Sequence, residues 1–264
     1  MPSRPIDPQL QRRMAGHDAA HGRDTGGVPW RGRDLAPSPF SQDTGAVDPA
    51  LAAALATDEV DERALLRAVA GARTFVPVVA APGEAAEAGT DSVADMATVV
   101  LTGPDGQRAL PAFSSLQTLA AWDPSARPVP VTSVTLAQAA VQEGCDAILL
   151  DLGDDRGRVL RASMVYALAQ SREWVPAHED AVVLGALRRA RVEVGSARLH
   201  DVRAAGLTPS GALRVDVVLD PGLPAPELDE LLGRLGALLA EDVELRARLD
   251  GLTFTLVPFV PPTT

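Results

Sequence analysis

From residue 58 onward the apolar positions follow one period and then another. In "DEVDERALLRAVAGA" Leu65, Leu66 and Val69 fall at helical spacing behind leading acids, with Gly71 near the end. This predicts an amphipathic helix whose acids sit at the positive end of its dipole. "TFVPVVA" follows as a strand, and "MATVVLTG" and "RALPAF" flank Pro104-Asp105-Gly106, a turn sequence that predicts a β-hairpin. In "SSLQTLAAW" Ser114 and Gln117 have capping-box spacing, so a short helix should start there, with Leu116, Leu119 and Ala120 on one face. Pro124 stops it near Trp122, because the residue before a proline is biased away from the α region. "RPVPV" returns as a proline-punctuated edge strand. Thr135 and Gln138 repeat the box in "TLAQAAVQEG", with Gly144 as the terminating residue. "DAILLDLG" reads as a strand buried on both faces, and "ASMVYALAQSREW" as a helix.

A second region opens at Pro176. "HEDAVVLGALRRARVEV" carries acids at its front and arginines at its back, as a helix dipole favours. "SARLHDVRAAGLTPSGALRVDVVLD" reads as two strands around Thr208 to Gly211. Leu228, Leu231, Leu232, Leu235, Leu238 and Leu239 mark a helix ending at Gly251, and "LTFTLVPF" closes as a strand. Residues 1–57 lack sustained periodicity and read as a Gly/Pro-rich arm with Trp30, Leu35 and Phe40 as scattered anchors. The organisation expected is an arm (1–57), a compact domain (58–176) and a small α-ββαβ unit (177–264). The fold class is α+β, with a mixed α/β arrangement also open.

Composition narrows the function more than the fold. Hydrophobic residues make up 46% of the 264 but aromatics only 3%, so the core is built from Ala, Val and Leu. A net charge of −11 opposes nucleic acid and anionic membrane surfaces, since phosphate neutralisation supplies most nucleic-acid affinity. Neither lysine nor asparagine occurs; both have A-rich codons, which suggests a GC-rich genome. Their absence removes Schiff-base, P-loop and Cys-His-Asn chemistry. Cys145 is the single cysteine, so an internal disulfide and cysteine-based metal sites are excluded, as suits a reducing cytoplasm. No secretory signal and no membrane span is read.

The chemistry-bearing positions are few. Ser114 or Ser115 as a nucleophile would need a histidine base, but His17, His21, His178 and His200 lie outside any nucleophile-elbow setting, and capping accounts for Ser114. On that reading Ser114→Ala costs about 1 kcal/mol of stability. His17 and His21 have a metal-sharing i, i+4 spacing, but Asp18 stands where a general-base glutamate would be, within the arm. Asp151, Asp154 and Asp155 in "DLGDDRG" could gather a divalent cation, although their spacing is not that of an EF-hand and they are equally turn formers. Cys145 reads as a small buried hydrophobe.

The run "FVPVVA", "DMATVVLTGPDGQRALPAF", "SSLQTLAAW", "RPVPV", "LAQAAVQEGCDAILLDLG" and "ALAQSREWVP" resembles the N-terminal domain of the SseB family, the enhanced serine sensitivity proteins, over residues 60–176. "ALPAFSS" and "EGCDAILLD" are its most specific parts, and "GVPWRGRDLAPSPF" with the helix-and-strand tail is similar to actinobacterial members. The resemblance implies the domain's fold and supplies no catalytic residue. The expectation is a non-enzymatic cytoplasmic interaction or regulatory protein without cofactor, with a protein partner or self-association. Trp122, Arg127, Val129 and Val131 would form its interaction surface, the open strand edge adding a partner strand. The alternative is a sensor or enzyme for serine or another amino-acid-related ligand, with its site between the two units.

Overall fold

The computed structural model describes residues 39–57, 61–80, 96–104 and 106–261. His17, His21, Trp30, Leu35 and Asp105 lie outside the described residues. The chain divides into two compact units, Met1–Asp43 and Thr44–Thr264. Of the first, a turn is described in which the Asp43 amide donates to the Phe40 carbonyl at 3.1 Å, with Phe40 half-buried.

The second unit is α+β and has two lobes. Its first lobe opens with α1 (Pro49–Leu55), within the stretch read as arm. Asp48 accepts from the Ala50 and Leu51 amides, and Pro49 supplies the fixed φ that suits a first helical position. Leu51 and Leu55, four apart, are buried on the face turned to α2 (Glu62–Gly71), where Leu65, Leu66 and Val69 are buried. A seven-residue helix offers too few apolar repeats for periodicity to single it out.

Strands β1 (Arg73–Ala80), β2 (Met96–Thr98) and β5 (Arg127–Thr132) form one sheet in the order β2-β1-β5. A second sheet has the order β3-β4-β6-β7, from β3 (Leu101–Thr102), β4 (Arg108–Ala112), β6 (Ala147–Leu150) and β7 (Arg158–Arg161). Phe75 and Phe113 join the sheets by exchanging amide-to-carbonyl bonds of 2.7 and 2.8 Å. The expected hairpin is therefore divided: Leu101–Thr102 pairs antiparallel with β4, while Met96–Thr98 pairs with β1. Strand β6 is central, with Ile148 and Leu150 buried.

One face of these sheets carries α1, α2, α4 (Ser133–Gln142) and α5 (Ala162–Ala169), over a core that includes Val76, Leu110, Leu136, Ile148, Leu160, Met164 and Trp174. On the other, α3 (Leu116–Trp122) covers a smaller cluster of Phe75, Phe113, Leu119 and Ala126.

Both helix caps differ in register from the expectation. The α3 cap is Ser115, whose Oγ accepts from the Thr118 amide at 3.1 Å while Thr118 Oγ1 accepts from the Ser115 amide at 3.3 Å. Threonine serves where the box pattern asks for Glu or Gln. Ser114 is instead tied into the sheet, its amide donating to Asp151 Oδ1 at 2.7 Å. In α4 the cap is Thr132, three residues ahead of expectation, and it accepts from the Thr135 amide. Gly144, at φ +63°, ends α4 as expected. The Gly144 amide bonds the Val141 carbonyl and the Cys145 amide bonds the Ala140 carbonyl, a Schellman motif.

The second lobe holds α6 (Ala181–Val194), β8 (Leu199–Leu207), β9 (Leu213–Leu219), α7 (Ala225–Glu241), α8 (Val243–Arg246) and β10 (Leu252–Pro258), with strand order β10-β9-β8. Strands β9 and β10 are parallel, so α7 is their crossover. Leu231, Leu235 and Leu239 of α7 meet Val183, Leu187 and Val194 of α6 over Leu213, Val215 and Val217. The leucine helix stops at Glu241 rather than running to Gly251, because Asp242 caps a new turn by accepting from the Leu245 amide at 3.0 Å.

The seam between the lobes is closed by charge. Arg161 Nη2 donates to Glu62 Oε2 at 2.9 Å and its Nε to Asp250 Oδ2 at 2.8 Å. Asp250 also accepts from the Ser163 amide (2.8 Å) and hydroxyl (3.0 Å), and Trp174 Nε1 donates to the same hydroxyl at 3.0 Å. Arg63 of α2 adds a 2.8 Å pair with Glu179 across the seam, and inside the second lobe Arg248 pairs at 2.7 Å with buried Asp180, which also caps α6 at the Val182 amide.

Two outcomes follow. In urea unfolding, Ser115→Ala should lose about 1 kcal/mol and Ser114→Ala less, since the cap is Ser115. Asp250→Ala, which strips the half-buried Arg161 of one of its two acceptor groups and the Ser163 amide of its acceptor, should lose about 3 kcal/mol.

Candidate functional site

Helix α2 places Arg63, Leu66, Arg67 and Ala70 on one stripe, as i, i+3, i+4 spacing requires. Facing them is the start of α4, where Ser133 and Val134 bring the positive end of that helix's dipole. The third wall is the turn after α5. There the Ser171 amide bonds the Leu168 carbonyl and the Arg172 amide bonds the Ala167 carbonyl at 2.8 Å, with Ser171 left-handed at φ +52°. This is the helix termination that glycine ordinarily makes, and here a serine takes it. It folds Arg172, Glu173 and Trp174 back beside α2, and the Trp174 bond to Ser163 fixes the turn.

Together these walls line a half-open cavity of about 490 Å³ that includes Arg63, Arg67, Arg172, Glu173, Ser133 and the apolar Leu66, Leu168 and Trp174. That size lies within the range of small-ligand sites. Arg67 pairs with Glu173 at 2.7 Å, which raises the guanidinium pKa and lowers that of the carboxyl. Arg63 pairs with Glu179 at 2.8 Å. Arg172 has no ion pair: its Nη1 reaches the Glu173 carbonyl at 3.3 Å, and its Nε and Nη2, like Arg63 Nε, are buried with no hydrogen-bond partner. Burial, followed by the neighbouring Arg248 charge, pushes its pKa below the ordinary arginine value. Three guanidinium groups thus meet one carboxylate in the lining, inside a chain of net charge −11. Such a lining favours an anion with an apolar body. The Ser133 hydroxyl is engaged as a donor to the Ala70 carbonyl at 2.8 Å.

The stretch of this lobe that carries the sheets has a recognisable family. Residues 47–167 match the family model of the SseB protein N-terminal domain. The chain carries an SseB domain. No curated protein matches the chain. The SseB match begins ahead of α1 and stops within α5, so it includes Arg63, Arg67 and Ser133 of the cavity but not Arg172 or Trp174.

The positions singled out in the sequence have other settings. Asp151 is buried at φ +52°, with Oδ1 accepting from the Ser114 amide. Asp154 Oδ1 accepts from the Arg156 amide at 2.8 Å, and Asp155 is exposed in the same loop. Among the described residues no group of three His, Cys, Asp or Glu side chains converges as metal ligands. Cys145 is half-buried beside the main core, and burial pushes its thiol pKa up.

The structure does not bring the four surface residues together. Phe75 pairs with Pro130 and Val76 with Val129, so Val129 and Val131 share the face of Val76, whereas Trp122 packs at 5.2 Å on Phe113 on the opposite face. Val131 touches the main core, while Arg127 and Val129 are exposed. Strand β5 is an edge, as read. However, Phe75 spends its amide and carbonyl on Phe113, so in the Phe75–Pro130 pair the Pro130 nitrogen turns to the open side, as does Pro128. Prolines there withhold the donors that an added strand would need. The cavity was not legible in the sequence, because Arg172 lies about a hundred residues from Arg63.

Proposed function

We propose that this SseB-domain protein is a non-enzymatic, cytoplasmic binding and regulatory protein whose ligand site is the arginine-lined cavity. The observation that carries the reading is the composition of the lining: three guanidinium groups meet one carboxylate there, and of the three Arg172 has no ion pair. A half-buried guanidinium without an ion pair is a cost to the fold. A carboxylate or phosphoryl group in the cavity would meet the guanidinium groups that line it, with Leu66, Leu168 and Trp174 holding an apolar body. Ser115 caps α3 and the Ser114 amide donates to Asp151, so both serines serve the fold. Among the described residues no helix is long and apolar enough to cross a membrane.

A second reading, a sensor or enzyme for serine or a related amino acid, is favoured by Glu173, which sets a carboxylate among the arginines and could face an ammonium group. Its place would be this cavity, because the seam between the lobes is occupied by the Arg161–Asp250 pair and its bonds to Ser163.

Thermal unfolding should separate these readings. With L-serine, L-glutamate, acetate and inorganic phosphate, each against chloride at matched ionic strength, the proposal expects a dose-dependent rise in Tm for at least one anion. The rise should vanish in Arg172→Gln, whose unliganded Tm should equal or exceed that of the wild type. A flat panel, or a rise that the variant retains, would sink the proposal. A response to L-serine that acetate and phosphate lack would favour the second reading.

A further inference from the structure

We propose that β10 is a self-association edge, joining two copies of the chain through antiparallel β10–β10 pairing. Sheet edges are ordinarily defended by charge, proline, bulges or shortness. Among the described strands, β5 turns Pro128 and Pro130 to its open side, and β8 carries two register breaks together with His200, Asp201 and Arg203. Strands β2 and β3 are three and two residues long, and β7 is a four-residue strand with an arginine at each end. Strand β10 has none of these devices over most of its length. Its seven residues, "LTFTLVP", hold no charge, pair with β9 without a break, and place their one proline last.

The hydrogen-bond parity shows what this edge offers. The Leu213 amide donates to the Gly251 carbonyl at 2.9 Å, and the Phe259 amide donates to the Leu219 carbonyl at 2.7 Å. In a parallel ladder the bonding residues alternate, so the odd-numbered residues of β10 serve β9. The amides and carbonyls of Leu252, Phe254 and Leu256 therefore point to the open side.

That row is self-complementary. In an antiparallel register with Phe254 opposite the partner's Phe254, Leu252 falls opposite the partner's Leu256. Every outward amide of these three residues then meets an outward carbonyl of the other copy. On the core-facing side Phe254 meets Phe254 and leucine meets leucine, and on the other side Thr253 meets the partner's Thr255. No like charges oppose one another, which matters because two copies of net charge −11 repel elsewhere. Apolar surface is available to be covered: Leu256 is 47% exposed and Val260 77% exposed. The result is an isologous twofold dimer with one continuous sheet across the axis.

Light scattering coupled to size exclusion on the full chain tests this. The wild type should run at twice the 27.5 kDa chain mass. Leu256→Pro removes an outward amide without touching the β9 ladder and should return the mass to 27.5 kDa. The double variant T253K/T255K, which sets lysine opposite lysine across the axis, should do the same. Circular dichroism matching the wild type would show that both variants are folded. A monomeric wild type overturns the proposal, as does a dimer that persists in both folded variants.

Discussion

Arg161 stands where β7 ends and α5 begins, and its guanidinium is shared between Glu62 at the start of α2 and Asp250 ahead of β10. Taking such charges out of water is expensive, and the attraction repays it only when every lone pair and proton finds a partner. Here they do. Both Asp250 oxygens are occupied, the Ser163 hydroxyl passes the network on to Trp174, and the Glu62 bonds are the largest cause of the raised Arg161 pKa. The second lobe makes room for this arginine with Gly211, at φ +88°, where a Cβ would collide with the guanidinium. One side chain thus sets the start of α2, the start of α5, the β8–β9 turn and the approach to β10.

The cavity depends on the same network at one remove. Trp174 is held by Ser163, which is held by Asp250, and the turn that carries Trp174 also carries Arg172 and Glu173. Helix α2 enters the network through Glu62 and, one residue on, presents Arg63 to the cavity. Cavity and lobe seam are therefore two ends of one hydrogen-bonded chain. On the proposed reading, a ligand that engaged Arg172 would act on a turn whose far end is anchored in the second lobe.

How much of this was legible in the sequence varies with the range of the interaction. The long amphipathic helices, the β8–β9 pair, the edge character of β5 and the glycine that ends α4 follow from local period and turn chemistry, and the family resemblance agrees with the matched domain. Short-range competition was harder: Ser114 and Ser115 are adjacent, and only the pull of Asp151 on the Ser114 amide decides which of them caps α3. The split hairpin, the Arg161 hub and the arginine cavity were not legible. Each joins residues far apart in the chain, and no pattern in one sequence says that Arg172 will stand beside Arg63 or that Asp250 will face Arg161.

The most direct measurement is a double-mutant cycle on Arg161 and Asp250 by urea unfolding, using Arg161→Met, Asp250→Asn and the pair. If the seam is the constraint that unites the lobes, the two changes should be coupled by about 1–3 kcal/mol and the wild type should unfold in one transition. Additivity to within about 0.5 kcal/mol, or two separate transitions in the wild type, would contradict it.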